Sequence, residues 1–172
     1  MNVLLSLLQK SPDYMQLLQA VEAKQAAAVS GLSQAPRSHV LAALHEHSGR
    51  PLVAVCQDDL AASRLASELG AFLGEQPPVL PSRELTLAGA IGVSRQWEQK
   101  RLRLLYALAH GQVPVLVTSL DALLLRTMPR EVLFSASVRL RCGEEYNVDD
   151  LVARLTRAGY TRSILVEGVG QF

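Results

Sequence analysis

The chain has 172 residues, 49% of them hydrophobic and 19% charged, with a formal net charge of +1. That balance fits one soluble globular core, or one core and part of a second domain. A charge this near neutral excludes a whole-molecule field for nucleic acid, so any such surface must be local.

Met1 to Lys10 has neither a basic leader nor a small-residue cleavage site, and it is too short to span a bilayer. It reads as a short amphipathic helix through Leu4, Leu5 and Leu8, with no membrane partner. Ser11-Pro12-Asp13 then opens a helix, with an N-cap, a proline in the first turn and an acid at the positive end. This helix is expected to run to about Gln25, and the small apolar run Ala26 to Ser30 reads as a first strand.

Gly31-Leu-Ser-Gln-Ala-Pro-Arg-Ser38 follows that strand and precedes a helical pattern from Ser38 to Glu46. This is the setting of a phosphate loop, G-x-x-x-x-G-K-[ST]. Gly31 fits the first glycine, and Ser38 fits the hydroxyl that would hold magnesium. Pro36 stands in place of the second glycine and Arg37 in place of the lysine. A phosphate loop turns successive N–H groups around an anion. Proline has no N–H and a fixed φ, and arginine is longer and planar where lysine is a compact charge. Gly31, Pro36, Arg37 and Ser38 therefore read as a degenerate phosphate loop. The alternative is an ordinary strand-to-helix connection, with Ser33 or Ser38 as the N-cap.

Beyond a break at Ser48-Gly49-Arg50-Pro51, the run Pro51 to Cys56 has the continuous apolar character of a buried parallel strand. Asp58 caps a helix whose apolar face is Ala61, Leu65, Leu69 and Phe72. Val79-Leu80 is a short strand, and Ser82 to Gly92 a long loop. Ser94 to His110 is the longest helix. Leu102, Leu105, Tyr106 and Ala109 share one face, Lys100 and Arg103 the opposite one, and Trp97 the flank. Val113 to Thr118 is another apolar strand, followed by short helices at Ala122 to Arg126 and from Pro129 to Leu133. Val138 to Cys142 alternates like a half-exposed strand. Asn147 caps a helix with Asp149 and Asp150 in its first turn, Val148, Leu151, Val152 and Leu155 on one face, Arg154 and Arg157 pointing outward and Gly159 as its stop. Tyr160 to Val166 begins a strand, and the chain stops soon after, as expected of a piece of a longer protein.

Strands alternating with helices predict an α/β fold, a three-layer parallel sheet of the P-loop NTPase type. The pattern changes near Met128 to Ser137, which implies an N-terminal helical segment over 1–25, the α/β domain over 26–130, and the incomplete start of a small α+β domain over 131–172.

Catalytic chemistry is sparse. A working NTPase needs a carboxylate pair after a strand to place magnesium and water. Asp58 and Asp59 are adjacent acids, but at a helix start, where acids are expected anyway. His39, His45, His47 and His110 make no metal spacing with acids or cysteines, and no serine or cysteine sits in a G-x-S-x-G context. The two cysteines, Cys56 and Cys142, lie far apart with no C-x-x-C, as in a reducing, cytoplasmic compartment. The expectation is no catalytic site, no metal and no cofactor within this chain.

Several stretches, in order, resemble one family: Leu80-Pro-Ser-Arg-Glu84, Gly92-Val-Ser-Arg-Gln-Trp97, Val117-Thr-Ser-Leu-Asp-Ala-Leu123, Arg126-Thr-Met-Pro129, and Gly159-Tyr-Thr-Arg162 ahead of Val166-Glu-Gly-Val-Gly-Gln-Phe172. Over about residues 26 to 172 the chain is similar to the N-terminal region of the bacterial transcription-repair coupling factor, which is itself similar to the excision-repair protein UvrB (domain 1 of the RecA-like type). UvrB has an intact phosphate loop and a tyrosine-rich hairpin after the third strand. Here Glu84 to Trp97 holds no tyrosine, and the loop has Pro36 and Arg37, which favours the coupling factor. The resemblance implies a non-catalytic module that recruits UvrA, with RNA polymerase and DNA engaged by other domains of an ATP-dependent translocase. Arg162, in Gly-Tyr-x-Arg, matches the first of the arginines on which UvrA docks; Arg154 and Arg157 match no family motif and read as solvated helix-face charges. Two alternatives remain: a variant P-loop enzyme that binds magnesium–ATP and DNA, and a DNA-binding domain using Lys100, Arg101 and Arg103.

Overall fold

The computed structural model describes residues 3–82 and 95–172, with side chains described from Trp97 onward in the second stretch. The loop expected beyond Ser82, the helix start at Ser94 and most of the stretches Leu80 to Glu84 and Gly92 to Trp97 lie outside the described residues. The chain divides into two units. The first takes the described residues up to Ser82 together with Gly111–Leu125; the second takes 95–110 and Arg126–Phe172.

The first unit is a three-stranded parallel sheet carrying helices. Its elements are α1 (Val3–Leu7) with a 3-10 turn (Leu8–Lys10), α2 (Pro12–Glu22), α3 (Gln34–Ser48), β1 (Leu52–Cys56), α4 (Asp59–Leu73), β2 (Val79–Leu80), β3 (Val115–Ser119) and α6 (Leu120–Leu124), with α5 (Arg95–Ala109) falling in the second unit. Strand order is β1-β3-β2, with Leu52 opposite Val115, Ala54 opposite Val117 and Leu80 opposite Thr118. The helix starts follow the capping chemistry. Ser11 accepts from the Tyr14 N–H at 3.5 Å, and Asp58 from that of Ala61 at 2.7 Å. Gly49 and Gly74 end α3 and α4 in the left-handed region, at φ 63° and 81°. The core lies where Ala42 and Ala43 of α3 and Ala62, Ala66 and Leu69 of α4 meet Ala54, Val115 and Val117 of the sheet. The small alanines allow helix backbones close to the strands; Leu5, Tyr14 and Leu18 close the cluster from α1 and α2.

Four expectations fail. Ala26 to Ser30 is exposed and joins no strand, because its alanines bury too little apolar surface to fix a position without a neighbouring strand. The run Leu52–Cys56 is not buried on both faces. Val53 and Val55 are 56% and 52% exposed, since β1 is an edge strand and within this unit helices α3 and α4 serve the Ala54 side. The described residues form the expected α/β class, with helices on a small three-stranded parallel sheet. Val138 to Cys142 forms no strand, and Tyr160 to Val166 contributes only the bridge Thr161 to Gln171.

In the second unit, α5 packs on α7 (Arg130–Ala136) and α7 on α8 (Val148–Arg157), with Leu133 buried. Arg101 of α5 is also buried, at 6% exposure, its guanidinium 5.9 Å from the Trp97 ring centroid. The alternative DNA-binding set Lys100, Arg101 and Arg103 thus loses its middle member, while Lys100 and Arg103 of the expected basic face are exposed. Asn147 caps α8 as expected, accepting from the N–H groups of Asp149 and Asp150 at 2.9 and 3.1 Å. Arg154 and Arg157 are exposed as expected, and Arg154 also donates to the Ser137 carbonyl at 3.2 Å. Among the described residues no helix is long and apolar enough to cross a membrane.

The buried Tyr14 hydroxyl shares a hydrogen bond of 2.7 Å with His47 Nδ1. Burial pushes the phenol from its usual 10.0 up to about 12. The unfolded chain therefore releases this proton near pH 10, while the folded chain holds it to about pH 12. The stability it contributes is complete below pH 10 and is lost as pH rises towards 12. Urea midpoints measured from pH 9 to 12 should fall more steeply for the parent chain than for Tyr14→Phe; parallel curves would rule this out.

Candidate functional site

The residues proposed for a phosphate loop form a helix start, not a loop. Gly31 takes φ 79°, a left-handed turn with open space where a Cβ would stand. Ser33 occupies the N-cap position without a side-chain cap, and α3 begins at Gln34. Helix N–H groups point at an anion only in the first turn. Of those three positions, Gln34 and Ala35 carry N–H groups and Pro36 carries none. By Arg37 the N–H already bonds the Ser33 carbonyl, at 3.2 Å. Ser38, four residues inside the helix rather than at its cap, is 1% exposed, and its hydroxyl donates to the Ala35 carbonyl at 2.9 Å. A hydroxyl used in this way is not presented to a cation. The expected start of this helix at Ser38 is four residues late because Pro36 fits a helix's first turn.

Arg37 remains exposed. A cavity of about 340 Å³ lies beside it, with Val29, Ser30, Gly31, Leu32, Val40 and Leu44 among its wall residues. A larger one of about 820 Å³ lies between α2 and the 25–32 segment, with Leu17, Ala20, Ala26, Val29 and Val40 in its wall. The smaller is largely apolar apart from Arg37 and Ser30, and the wall of the larger is mixed, with Ser11, Asp13, Gln16, Gln19 and Gln25 beside its apolar residues. An acid in the wall does not suit a polyphosphate, which needs a cradle of donors. The Cys56 thiol at the end of β1 is pushed up by burial, with the Arg37 charge opposing and Asp58 adding to the rise. A thiol shifted in that direction is less a thiolate, hence less a nucleophile or metal ligand.

The adjacent acids have structural tasks. Asp58 caps α4. Asp59 accepts a short hydrogen bond from the Ser119 hydroxyl at the end of β3, and its other oxygen accepts from the Ser82 N–H at 2.9 Å and the Ser82 hydroxyl at 2.7 Å, just past β2. This carboxylate ties together the carboxyl ends of two strands. The sequence carries no local signal for this tie, which joins residues 23 and 60 positions apart. The histidines each have a separate partner: Leu4 O for His39, Arg50 O for His45, Tyr14 for His47 and Tyr106 O for His110. Among the described residues, no three of His, Cys, Asp and Glu converge on a common point.

Arg162 lies in the second unit. Gly159 at φ 90° ends α8, with its N–H on the Thr156 carbonyl and that of Tyr160 on Leu155, both at 3.0 Å. The backbone on either side of Arg162 is then pinned. Thr161 N–H reaches the Gly170 carbonyl at 2.8 Å, and Ser163 N–H that of Phe172 at 2.9 Å. The Arg162 side chain projects from this rigid bridge as an exposed group.

Fold and site together define a mixed α/β chain: a small parallel sheet with a helix-start turn at the phosphate-loop position, and a helical unit presenting an exposed arginine. No protein-family model matches the chain. Among curated proteins, the transcription-repair-coupling factor of Myxococcus xanthus is 36% identical over 167 residues, which is 92% of this chain and 14% of that protein. Those of Staphylococcus aureus (strain USA300) and Bacillus subtilis (strain 168) are 27% and 25% identical over the whole chain, covering 15% of each. The chain belongs to the transcription-repair-coupling factor family, as the counterpart of one segment of its members. It spans about one-seventh of the length of these relatives.

Proposed function

We propose that the chain is a non-catalytic N-terminal recruitment module of a cytoplasmic transcription-repair coupling factor. Its partner is UvrA, which it brings to sites of stalled RNA polymerase for nucleotide excision repair, while other parts of the parent protein supply ATP-driven translocation and contact with polymerase and DNA. The observation that carries the non-catalytic reading is the Ser38 hydroxyl, turned inward onto Ala35 O in a helix whose first turn includes Pro36. The partner reading is supported by the family and by Arg162, exposed on a backbone held on both sides. The backbone beside this arginine needs no ordering on docking, and its planar fork makes the most of each hydrogen bond formed.

Binding of the chain to immobilised UvrA tests the proposal. Arg162→Ala is expected to weaken binding about tenfold or more, as for an interface arginine near a hot spot, with the thermal midpoint unchanged. Equal affinity for the two proteins would remove Arg162 from the interface, and no binding by the parent chain would remove UvrA as its partner. Magnesium–ATP at a hundredfold excess over its dissociation constant would raise stability by about 2.7 kcal/mol. A midpoint shift of that order, lost in Arg37→Ala, would instead support the variant P-loop enzyme.

A further inference from the structure

The second unit carries a cluster of rings and guanidiniums that the recruitment reading does not use. Tyr106 near the end of α5 and His110 just past it stand four residues apart, ring centroids 4.1 Å apart and tilted by 37°. Phe134 of α7 meets both edge-on, at 6.2 Å and 83° from Tyr106 and at 4.7 Å and 62° from His110. Arg130, one turn before Phe134, sets its guanidinium 5.1 Å from that ring's centroid. Arg139 donates from Nη2 to the Tyr106 hydroxyl at 3.3 Å. Arg103, one turn before Tyr106, is exposed, as are Arg130, Arg139 and His110.

The arginines of this cluster are not neutralised by ion pairs. Among the described residues the ion pair found is Arg141 with Glu144, at 3.6 Å, and none of Arg103, Arg130 and Arg139 takes part in one. A ring face and a neutral phenol hold a guanidinium in place without cancelling its charge. Two of these arginines are therefore ordered and yet keep their electrostatic capacity, which lowers the rotamer entropy lost when an anion binds.

We propose that this cluster is a binding surface for single-stranded nucleic acid. Guanidiniums take phosphate oxygens in a planar, often bidentate geometry. The exposed His110 ring, with the half-buried Tyr106 and Phe134 beside it, adds aromatic surface for unpaired bases, which a duplex keeps stacked inside. An acidic peptide would use the arginines but gain nothing from the rings. The surface shares only Arg103 with the run Lys100, Arg101 and Arg103 suggested by sequence, whose Arg101 is buried. It is independent of UvrA docking, so failure of either leaves the other standing.

The test is fluorescence anisotropy of a labelled oligothymidylate of about twelve nucleotides, a length within the span of known single-strand sites, titrated with the chain between about 50 and 200 mM salt. The expected result is binding that weakens with salt, and that weakens about tenfold further in the double variant Arg130→Ala, Arg139→Ala. Loss of two phosphate contacts should also reduce the log–log salt slope by about 1.4. Should the alanine variant unfold, Arg130→Lys with Arg139→Lys keeps the charges and is expected to retain most of the salt slope while losing affinity. Absence of binding at low salt, equal binding by parent and variants, or equal displacement of the oligonucleotide by polyglutamate would overturn the proposal.

Discussion

Asp59→Ala is expected to lower the thermal midpoint by roughly 6–12 °C, from a loss of about 3 kcal/mol at about 2–4 °C per kcal/mol for a chain of this size. The carboxylate accepts from the Ser119 hydroxyl and from both the N–H and the hydroxyl of Ser82. Ser119 is fully buried, so without its acceptor it keeps only its contact to the Ala122 N–H at 3.2 Å. Hydrogen bonds to a charged group contribute about 1.5–3 kcal/mol each, and a buried donor left unpaired adds its desolvation cost. The neighbouring Asp58→Ala removes an exposed N-cap and should cost about 1 kcal/mol. Differential scanning calorimetry of the two variants separates the roles. If Asp59→Ala loses no more than Asp58→Ala, the carboxylate is not the tie between the strand ends.

The same pair shows how far sequence can be read here. Asp58-Asp59 at a helix start announces a cap, because N-capping depends on residues only three apart. The tie from Asp59 to Ser119 spans sixty positions, and no local pattern encodes it. The strands at Leu52–Cys56 and Val115–Ser119 were legible because runs of β-branched and apolar residues are. That Val53 and Val55 would stand exposed was not, since it depends on which strand occupies the sheet edge. Ala26 to Ser30 is the complementary case. Its composition reads as a strand, yet pairing is a property of neighbours rather than of the segment. At the phosphate-loop position the departures Pro36 and Arg37 were visible from residue identity. The inward hydroxyl of Ser38 was not, because it follows from a helix that starts four residues earlier than the apolar periodicity suggests. The ring cluster of Tyr106, His110 and Phe134 joins residues of two helices and was invisible to any single-helix reading.

Leu69→Ala is expected to cost about 2–5 kcal/mol, the range for deleting a buried leucine. Leu69 is wholly inaccessible at the centre of α4, among Ala42, Ala43, Ala62, Ala66 and Val117. Collapse around the cavity is limited, because these neighbours are already small and Gly70, the next residue, lies against the Gln76 backbone. The loss should therefore fall towards the upper part of that range, visible as a lower urea midpoint with an unchanged m-value. The consequence for function separates contact from chemistry. If docking uses the surface at Arg162, which belongs to the other unit, Leu69→Ala should reduce the folded fraction while the folded molecules keep their UvrA dissociation constant. Titration below the unfolding midpoint, with the active concentration fitted, reads the two quantities separately. An intrinsic affinity that falls in the folded Leu69→Ala chain would instead assign part of the docking surface to the sheet unit, and Arg162 would then be one contact among several rather than the anchor.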